Sequence, residues 1–264
     1  MGQPDSGVVR CAVDGPIARI TIARSEARNA LNAAVFGALE QAFDEIEASS
    51  TVRAVIVLGD GNRAFCAGAD LDELRSLSGT NARALLGRGQ RLMRRIEALE
   101  VPTIAAVRGW ALGGGFELAL ACTLIVASES ARFGLPEAGL GLMPGYGGTQ
   151  RLTRAIGANA ALSCMLTDDR LAADRAWELG LLARPPVDDD SLEPLAIELA
   201  SQIVTRAPVA VALILEAVDS ALPAGTDLRH ETALASLATS SGDAAEGISA
   251  FLEKRQPSFG QRPL

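Results

Sequence analysis

Two glutamates set among apolar residues are where this sequence of 264 residues is equipped for chemistry. Glu117 stands behind the triple glycine of Leu112-Gly113-Gly114-Gly115-Phe116-Glu117, and Glu137 ends Phe133-Gly134-Leu135-Pro136-Glu137. A carboxyl among apolar neighbours loses water, and its pKa rises. Two such groups facing one reacting bond can protonate one side and activate water on the other. The glycines beside Glu117 can present backbone N–H groups to a developing oxyanion. Each feature also has a plainer reading. An acid in the first turn of a helix is favoured by the helix dipole alone, Pro-Glu is a common helix start, and three glycines can simply form a flexible turn.

Something must hold these residues against each other. Val8–Val13 and Ile17–Ala23 read as two strands around Asp14-Gly15, a hairpin signal. Val35, Phe36, Leu39, Phe43 and Ile46 recur at helical spacing within Ala33–Ala48. Ala54–Leu58, Thr103–Val107 and Leu124–Ala127 read as short buried strands. Between them Leu71–Leu77, Ala82–Leu99 and Phe116–Cys122 read as helices. Gly134–Gly148 is a glycine-rich loop, followed by helices to about Gly180. Arg184–Asp190, with two prolines and three aspartates, marks a boundary. Beyond it Leu192–Thr205, Val209–Ala221, Thr226–Ser240 and Ala244–Arg255 read as helical. Strands alternate with helices in the first two-thirds and the last third is helical, which predicts an α/β core, residues 1–190, followed by a helical region, 191–264. No tandem repeat at a fixed sequence period is visible.

Composition narrows the class. Hydrophobic residues at 48% and charged residues at 21% suit a soluble globular chain large enough to bury its own core. A net charge of −8 argues against a general nucleic-acid binder. Cys11, Cys66, Cys122 and Cys164 form no CxxC pair and no metal-ligand spacing, so free thiols in a reducing compartment are expected. The start, Met-Gly-Gln-Pro-Asp, lacks a signal-peptide pattern, and a cytoplasmic protein is expected. His230 is the sole histidine, in a polar helical context, and no G-x-S-x-G elbow occurs, so Ser-His-Asp hydrolysis is set aside. No P-loop lysine exists, Lys254 being the only lysine.

Four motifs in order carry a resemblance. Phe65-Cys66-Ala67-Gly68-Ala69-Asp70-Leu71, then Gly109-Trp110-Ala111-Leu112-Gly113-Gly114-Gly115-Phe116-Glu117, then Phe133-Gly134-Leu135-Pro136-Glu137, and finally Pro144-Gly145-Tyr146-Gly147-Gly148-Thr149-Gln150-Arg151-Leu152 resemble the crotonases, the enoyl-CoA hydratase/isomerase superfamily. The likeness runs from Arg24 to Arg255, nearly the whole chain. It implies a spiral of ββα units followed by a C-terminal helical trimerisation region, assembling as a homotrimer or a dimer of trimers. It implies an enoyl-CoA hydratase that adds water reversibly to a 2-trans-enoyl-CoA in fatty-acid or related acyl-CoA degradation. Glu117 and Glu137 correspond to the catalytic acids, and the N–H groups of Ala69 and Gly114 to the oxyanion hole. Ala27, Arg28, Ala67, Asp70 and Leu71 correspond to the coenzyme A segment, while Phe251 and Lys254 resemble tail residues that reach a neighbouring subunit's coenzyme A. A solvated surface arginine remains an equal reading of Arg28.

Retention of both acids favours hydration over the delta-isomerase alternative, in which the Glu137 position alone shuttles a proton, and over a non-catalytic acyl-CoA-binding protein. The implied chemistry uses no metal or redox cofactor, coenzyme A being part of the substrate, and engages neither membrane nor nucleic acid. Trp110 and Tyr146 are candidates for the acyl pocket. Tyr146 stands where the family often has a small residue, and either narrows that pocket or points outward. Thr123 and Ser25 also depart from the common pattern, with structural effects expected.

Overall fold

A computed structural model describes residues 7–71, 73, 79–140, 142–167, 169–220, 246, 250 and 253–260. The hairpin forms as β1 (Val9–Asp14) and β2 (Ile17–Ile22), antiparallel and closed where Asp14 faces Ile17. Helix α1 (Ala33–Ala48) follows. Asn32 caps it by accepting the Val35 N–H, and the five predicted apolar residues form its buried stripe.

From here each unit contributes one strand to each of two sheets and then turns. The units are β3 (Ala54–Gly59), β4 (Ala64–Cys66) and α2 (Gly79–Glu97); then β5 (Thr103–Val107), β6 (Trp110–Leu112) and α3 (Gly114–Ala121); then β7 (Leu124–Ala127), β8 (Arg132–Gly134) and a 3-10 turn, Pro136–Leu140. The first sheet has the order β1-β2-β3-β5-β7, parallel from β2 onward. The second has the order β4-β6-β8-β9, closed by β9 (Leu171–Ala172) lying antiparallel to β8. This is the ββα spiral of the crotonase fold.

Parallel strands buried on both faces read as unbroken apolar runs, which is why β3 and β5 stand out in the sequence. Their alternate residues serve two cores. Val55, Val57 and Ala105 face the main core with α1 and α3, while Ala54, Ile56, Ile104 and Ala106 face a second core under α7 (Leu192–Val204).

The short strands β4, β6, β8 and β9 are absent from the sequence reading. Each is two or three residues long, too few to display alternation. The expected helical run to Gly180 is divided at Gly157, whose φ of 80° separates α4 (Gly148–Ile156) from α5 (Ala158–Leu166), and again by β9 before α6 (Ala173–Glu178). The stretch 184–190 is pinned to the end of β7: the Glu129 N–H donates to the Val187 carbonyl and the Val187 N–H to Ala127. Helix α8 (Pro208–Ser220) matches its expected span to within a residue at each end. The expected helix Thr226–Ser240 lies outside the described residues, as do most of Leu71–Leu77 and Ala244–Arg255.

Candidate active site

Three segments meet at a cleft of about 860 Å³: the stretch after β4, the start of α3, and the chain from Pro136 to Tyr146. Its lining includes Ala69, Gly114, Glu117, Glu137 and Tyr146, with Leu86, Leu140, Leu142 and Met143 forming an apolar side.

The first segment is held by an isolated parallel bridge. The Leu31 N–H donates to the Gly68 carbonyl and the Asp70 N–H to the Leu31 carbonyl. In that pattern the intervening Ala69, which lines the cleft, turns its own N–H away from Leu31. Gly114 is the first residue of α3, so its N–H has no acceptor within the helix. A Cβ built on Gly68 would lie 3.5 Å from the Gly114 nitrogen, so the two segments touch here. Gly113, with φ of 50° and ψ of −128°, makes the turn from β6 into α3.

Glu117 is buried in the first turn of α3. Its Oε1 accepts the N–H groups of Tyr146 at 2.8 Å and Gly148 at 2.7 Å. Burial pushes its pKa up, while those two N–H groups and the Arg151 charge pull it back part of the way. Glu137 sits in the 3-10 turn with Oε2 buried and without a hydrogen-bond partner among the described residues. Burial, with the nearby Glu117 charge adding to it, pushes its carboxyl up to about 7. A Cβ on Gly113 would meet Glu137 Oε1 at 2.9 Å, so the absence of a side chain there lets the acid stand against the helix start. One carboxyl is therefore anchored by two donors, while the other has a buried oxygen with no partner among the described residues. Two carboxyls held so unequally are able to divide the work of a base and an acid.

The residues expected to hold coenzyme A come together beside this cleft. Ala27 ends a 3-10 turn, and Arg28 and Asn29 follow in the left-handed region with φ of 52° and 59°. The Asn29 amide donates to the carbonyls of Asp60 and Ala64, and the Ala67 N–H donates to the Arg28 carbonyl. Ala67 and Leu71 line the cleft and Arg28 is exposed near them. The Asp70 carboxylate meets Arg24 at 3.3 Å. Phe251 lies outside the described residues, and Lys254 is exposed with φ of 54°.

Tyr146 points inward. Its ring packs edge-on against Phe36 and fills the space between two glycines: a Cβ on Gly89 would fall 2.3 Å from the ring, and one on Gly114 2.7 Å. Its phenol is buried without a partner among the described residues. Trp110, the other candidate for the acyl pocket, stands apart from the residues that line the cleft. It shares a face of β6 with Leu112, which does line the cleft, but lies about 6.6 Å further along the strand. There the Arg170 guanidinium lies over its exposed ring. Burial raises the Cys66 thiol to about 12, which makes it a packing residue. Among the described residues no cluster of His, Cys, Asp or Glu could hold a metal ion.

The sequence reading missed the anchors of Glu117. Tyr146 and Gly148 act through backbone, and Arg151 and Glu97, which stand behind them, come from two different helices. A buried arginine paired across that distance leaves no local signal. The repeated glycine at 147 and 148 is the nearest to one.

The Enoyl-CoA hydratase/isomerase family profile matches residues 13–262. The chain is 40% identical over 245 residues to the short-chain-enoyl-CoA hydratase of Clostridium acetobutylicum, covering 92% of this chain and 94% of that one. It is 42% identical over 251 residues to the 2,3-dehydroadipyl-CoA hydratase of Escherichia coli, with the same coverage of 92% and 94%. The crystal structure of enoyl-CoA hydratase from Bacillus anthracis superposes with a TM-score of 0.91 at 36% identity, covering 96% of this chain and 98% of that one.

Proposed function

Because the chain belongs to the enoyl-CoA hydratase/isomerase family, we propose that Glu117 and Glu137 carry out the hydration of a 2-trans-enoyl-CoA, and that this enoyl-CoA hydratase forms a 3-hydroxyacyl-CoA. The observation that carries the assignment of roles is the unequal treatment of the two carboxyls across one cleft.

The thioester oxygen lies between the N–H groups of Ala69 and Gly114. Negative charge develops there as water attacks C3, and each such donor is worth about 3 kcal/mol in the transition state. Ionised Glu117, fixed through Oε1, orients the water with its other oxygen and takes its proton while the water oxygen bonds to C3. The C2–C3 π electrons pass to the enolate, and protonated Glu137 gives its proton to C2. Glu117 then holds a proton and Glu137 is ionised. Exchange with solvent restores both. Every step uses carboxyls and backbone donors.

Ala27, Arg28, Ala67, Asp70 and Leu71 hold the coenzyme A portion. Asp70 does so by backbone, since its carboxylate is engaged with Arg24. Phe251 and Lys254 complete the site of a neighbouring subunit. The apolar side of the cleft takes the acyl chain, and Tyr146 bounds it. The helical region 191–264 joins subunits into a trimer or a dimer of trimers, working in the cytoplasm.

The test follows loss of the conjugated thioester absorbance with crotonyl-CoA, beside Glu117→Gln and Glu137→Gln. Rapid turnover by the wild type, reduced at least about 10³-fold in each variant, is the expected result. Full activity in either variant, with its fold intact, would remove that residue from the mechanism.

A further inference from the structure

Behind Glu117 the charges continue inward. The loop that donates Tyr146 and Gly148 N–H groups to Glu117 is held from its other side by Arg151, whose Nη1 donates to the Tyr146 carbonyl at 2.8 Å. The glycines fit this double contact. A Cβ on Gly147 would fall 2.3 Å from Arg151 Nη1, and one on Gly148 2.9 Å from Glu117. The loop is thus threaded between a guanidinium and a carboxyl.

Arg151 is only 8% exposed, and a charge so placed requires a partner. Its Nη2 meets Glu97 Oε2 at 2.8 Å, from the end of α2. Glu97 also pairs with Arg154 at 2.9 Å and Arg94 at 3.1 Å. Burial opposes ionisation of Glu97, but hydrogen bonds led by Arg151 prevail and hold its carboxyl below the usual range. Shared among three arginines, Glu97 does not cancel the Arg151 charge completely.

The geometry points to Arg151 and Glu97 as a pair of positioning residues for Glu117: the guanidinium clamps the Tyr146–Gly148 loop onto the carboxylate, and its charge, divided with Glu97, sets how readily Glu117 ionises. The inference rests on Glu117 as the base. The other groups around α3 oppose Arg151. Glu137 comes from the 3-10 turn and Tyr146 from the loop before α4, and ionisation of either works against a carboxylate at 117. Cys66 on β4 and Cys122 at the end of α3 are thiols that burial keeps neutral, and β6 brings no titratable side chain. Glu97 of α2 acts through Arg151.

The two residues therefore have opposite signs. Arg151→Gln removes the cation facing Glu117, so the acidic limb of kcat/KM for crotonyl-CoA moves up, by about one pH unit, and kcat falls about tenfold or more as the loop loosens. Glu97→Gln keeps an acceptor for Arg151 but removes the competing negative charge, so the limb moves down. Residues that served structure alone would lower the unfolding temperature and leave both limbs in place. An unmoved limb in a folded Arg151→Gln enzyme overturns the inference, whatever its rate. If that variant does not fold, Glu97→Gln decides, and a limb that stays or rises overturns it. The infrared band of the protonated Glu117 carboxyl, identified by its loss in Glu117→Gln, reports the same titration without turnover. Should Glu117→Gln remain active, the hydratase assignment of Glu117 fails. A band whose midpoint rises in Arg151→Gln and falls in Glu97→Gln would still support the clamp, and one that does not move would overturn it.

Discussion

At Glu137 a buried carboxyl oxygen without a hydrogen-bond partner among the described residues has a consequence for both rate and stability. Its pKa stands near 7, above the ordinary 4.5, chiefly because burial penalises the charged form. In the proposed role of Glu137 the acid must carry its proton to protonate C2, so kcat/KM should decline as pH rises through about 7. Stability follows the same sign. A carboxyl whose pKa is raised by folding costs nothing below 4.5, and its penalty grows as pH rises through the folded value near 7. Urea midpoints of wild type and Glu137→Gln should accordingly diverge between those limits, with the variant gaining relative stability on the alkaline side. Parallel midpoints across that range would mean that Glu137 is not neutral in the folded enzyme. Ala69, Gly114, Glu117 and Glu137 were all legible as candidates in the sequence, because each sits in a short motif, Gly114 and Glu117 sharing one. Arg151 and Glu97 were not, since a salt bridge between α2 and α4 has no expression in either segment alone.

At the scale of elements, α3 is positioned by what its glycines omit. A Cβ on Gly115 would fall 2.2 Å from the Cys66 carbonyl oxygen, a backbone atom of β4. No side-chain rotation relieves that collision, so Gly115→Ala must part α3 from β4. The proposed oxyanion donors lie on these two segments, Gly114 at the helix start and Ala69 beyond the strand end. The substitution is expected to cost about 1–3 kcal/mol in stability, read by urea unfolding. It should also lower kcat more than it raises KM, since the lost donor acts in the transition state. A variant as active as wild type would show that the separation of α3 and β4 has slack. The same contact explains why the second sheet escaped the sequence reading. Ala64–Cys66, Trp110–Leu112 and Arg132–Gly134 are strands because neighbouring turns of the spiral bring them side by side, not because of their own periodicity. The inner strands β3 and β5 of the first sheet are almost wholly apolar and were legible for that reason.

At the scale of the molecule, two successive helices of similar composition have different fates. Helix α7 buries Leu192, Ala196, Leu199 and Ala200 against the first sheet. Helix α8 is just as apolar, yet among its residues only Pro208 is buried, and Ile214 and Val218 are 61% and 58% exposed. Within the described residues that leaves an apolar face of the kind that subunit contacts cover. Replacing Ile214 and Val218 with Asp places two charges in the proposed contact, where desolvation is costly. Sedimentation velocity should then show the assembled wild type reduced to a species near the chain mass of 27.4 kDa. Kinetics should separate assembly from chemistry. Glu117, Glu137, Ala69 and Gly114 belong to one chain, so kcat should largely persist in the dissociated variant. If Phe251 and Lys254 serve a neighbour's coenzyme A, KM for the thioester should rise in the same variant. An assembled variant with unchanged sedimentation would assign the contact to another surface. A dissociated one with unchanged KM would place all coenzyme A contacts within a single chain.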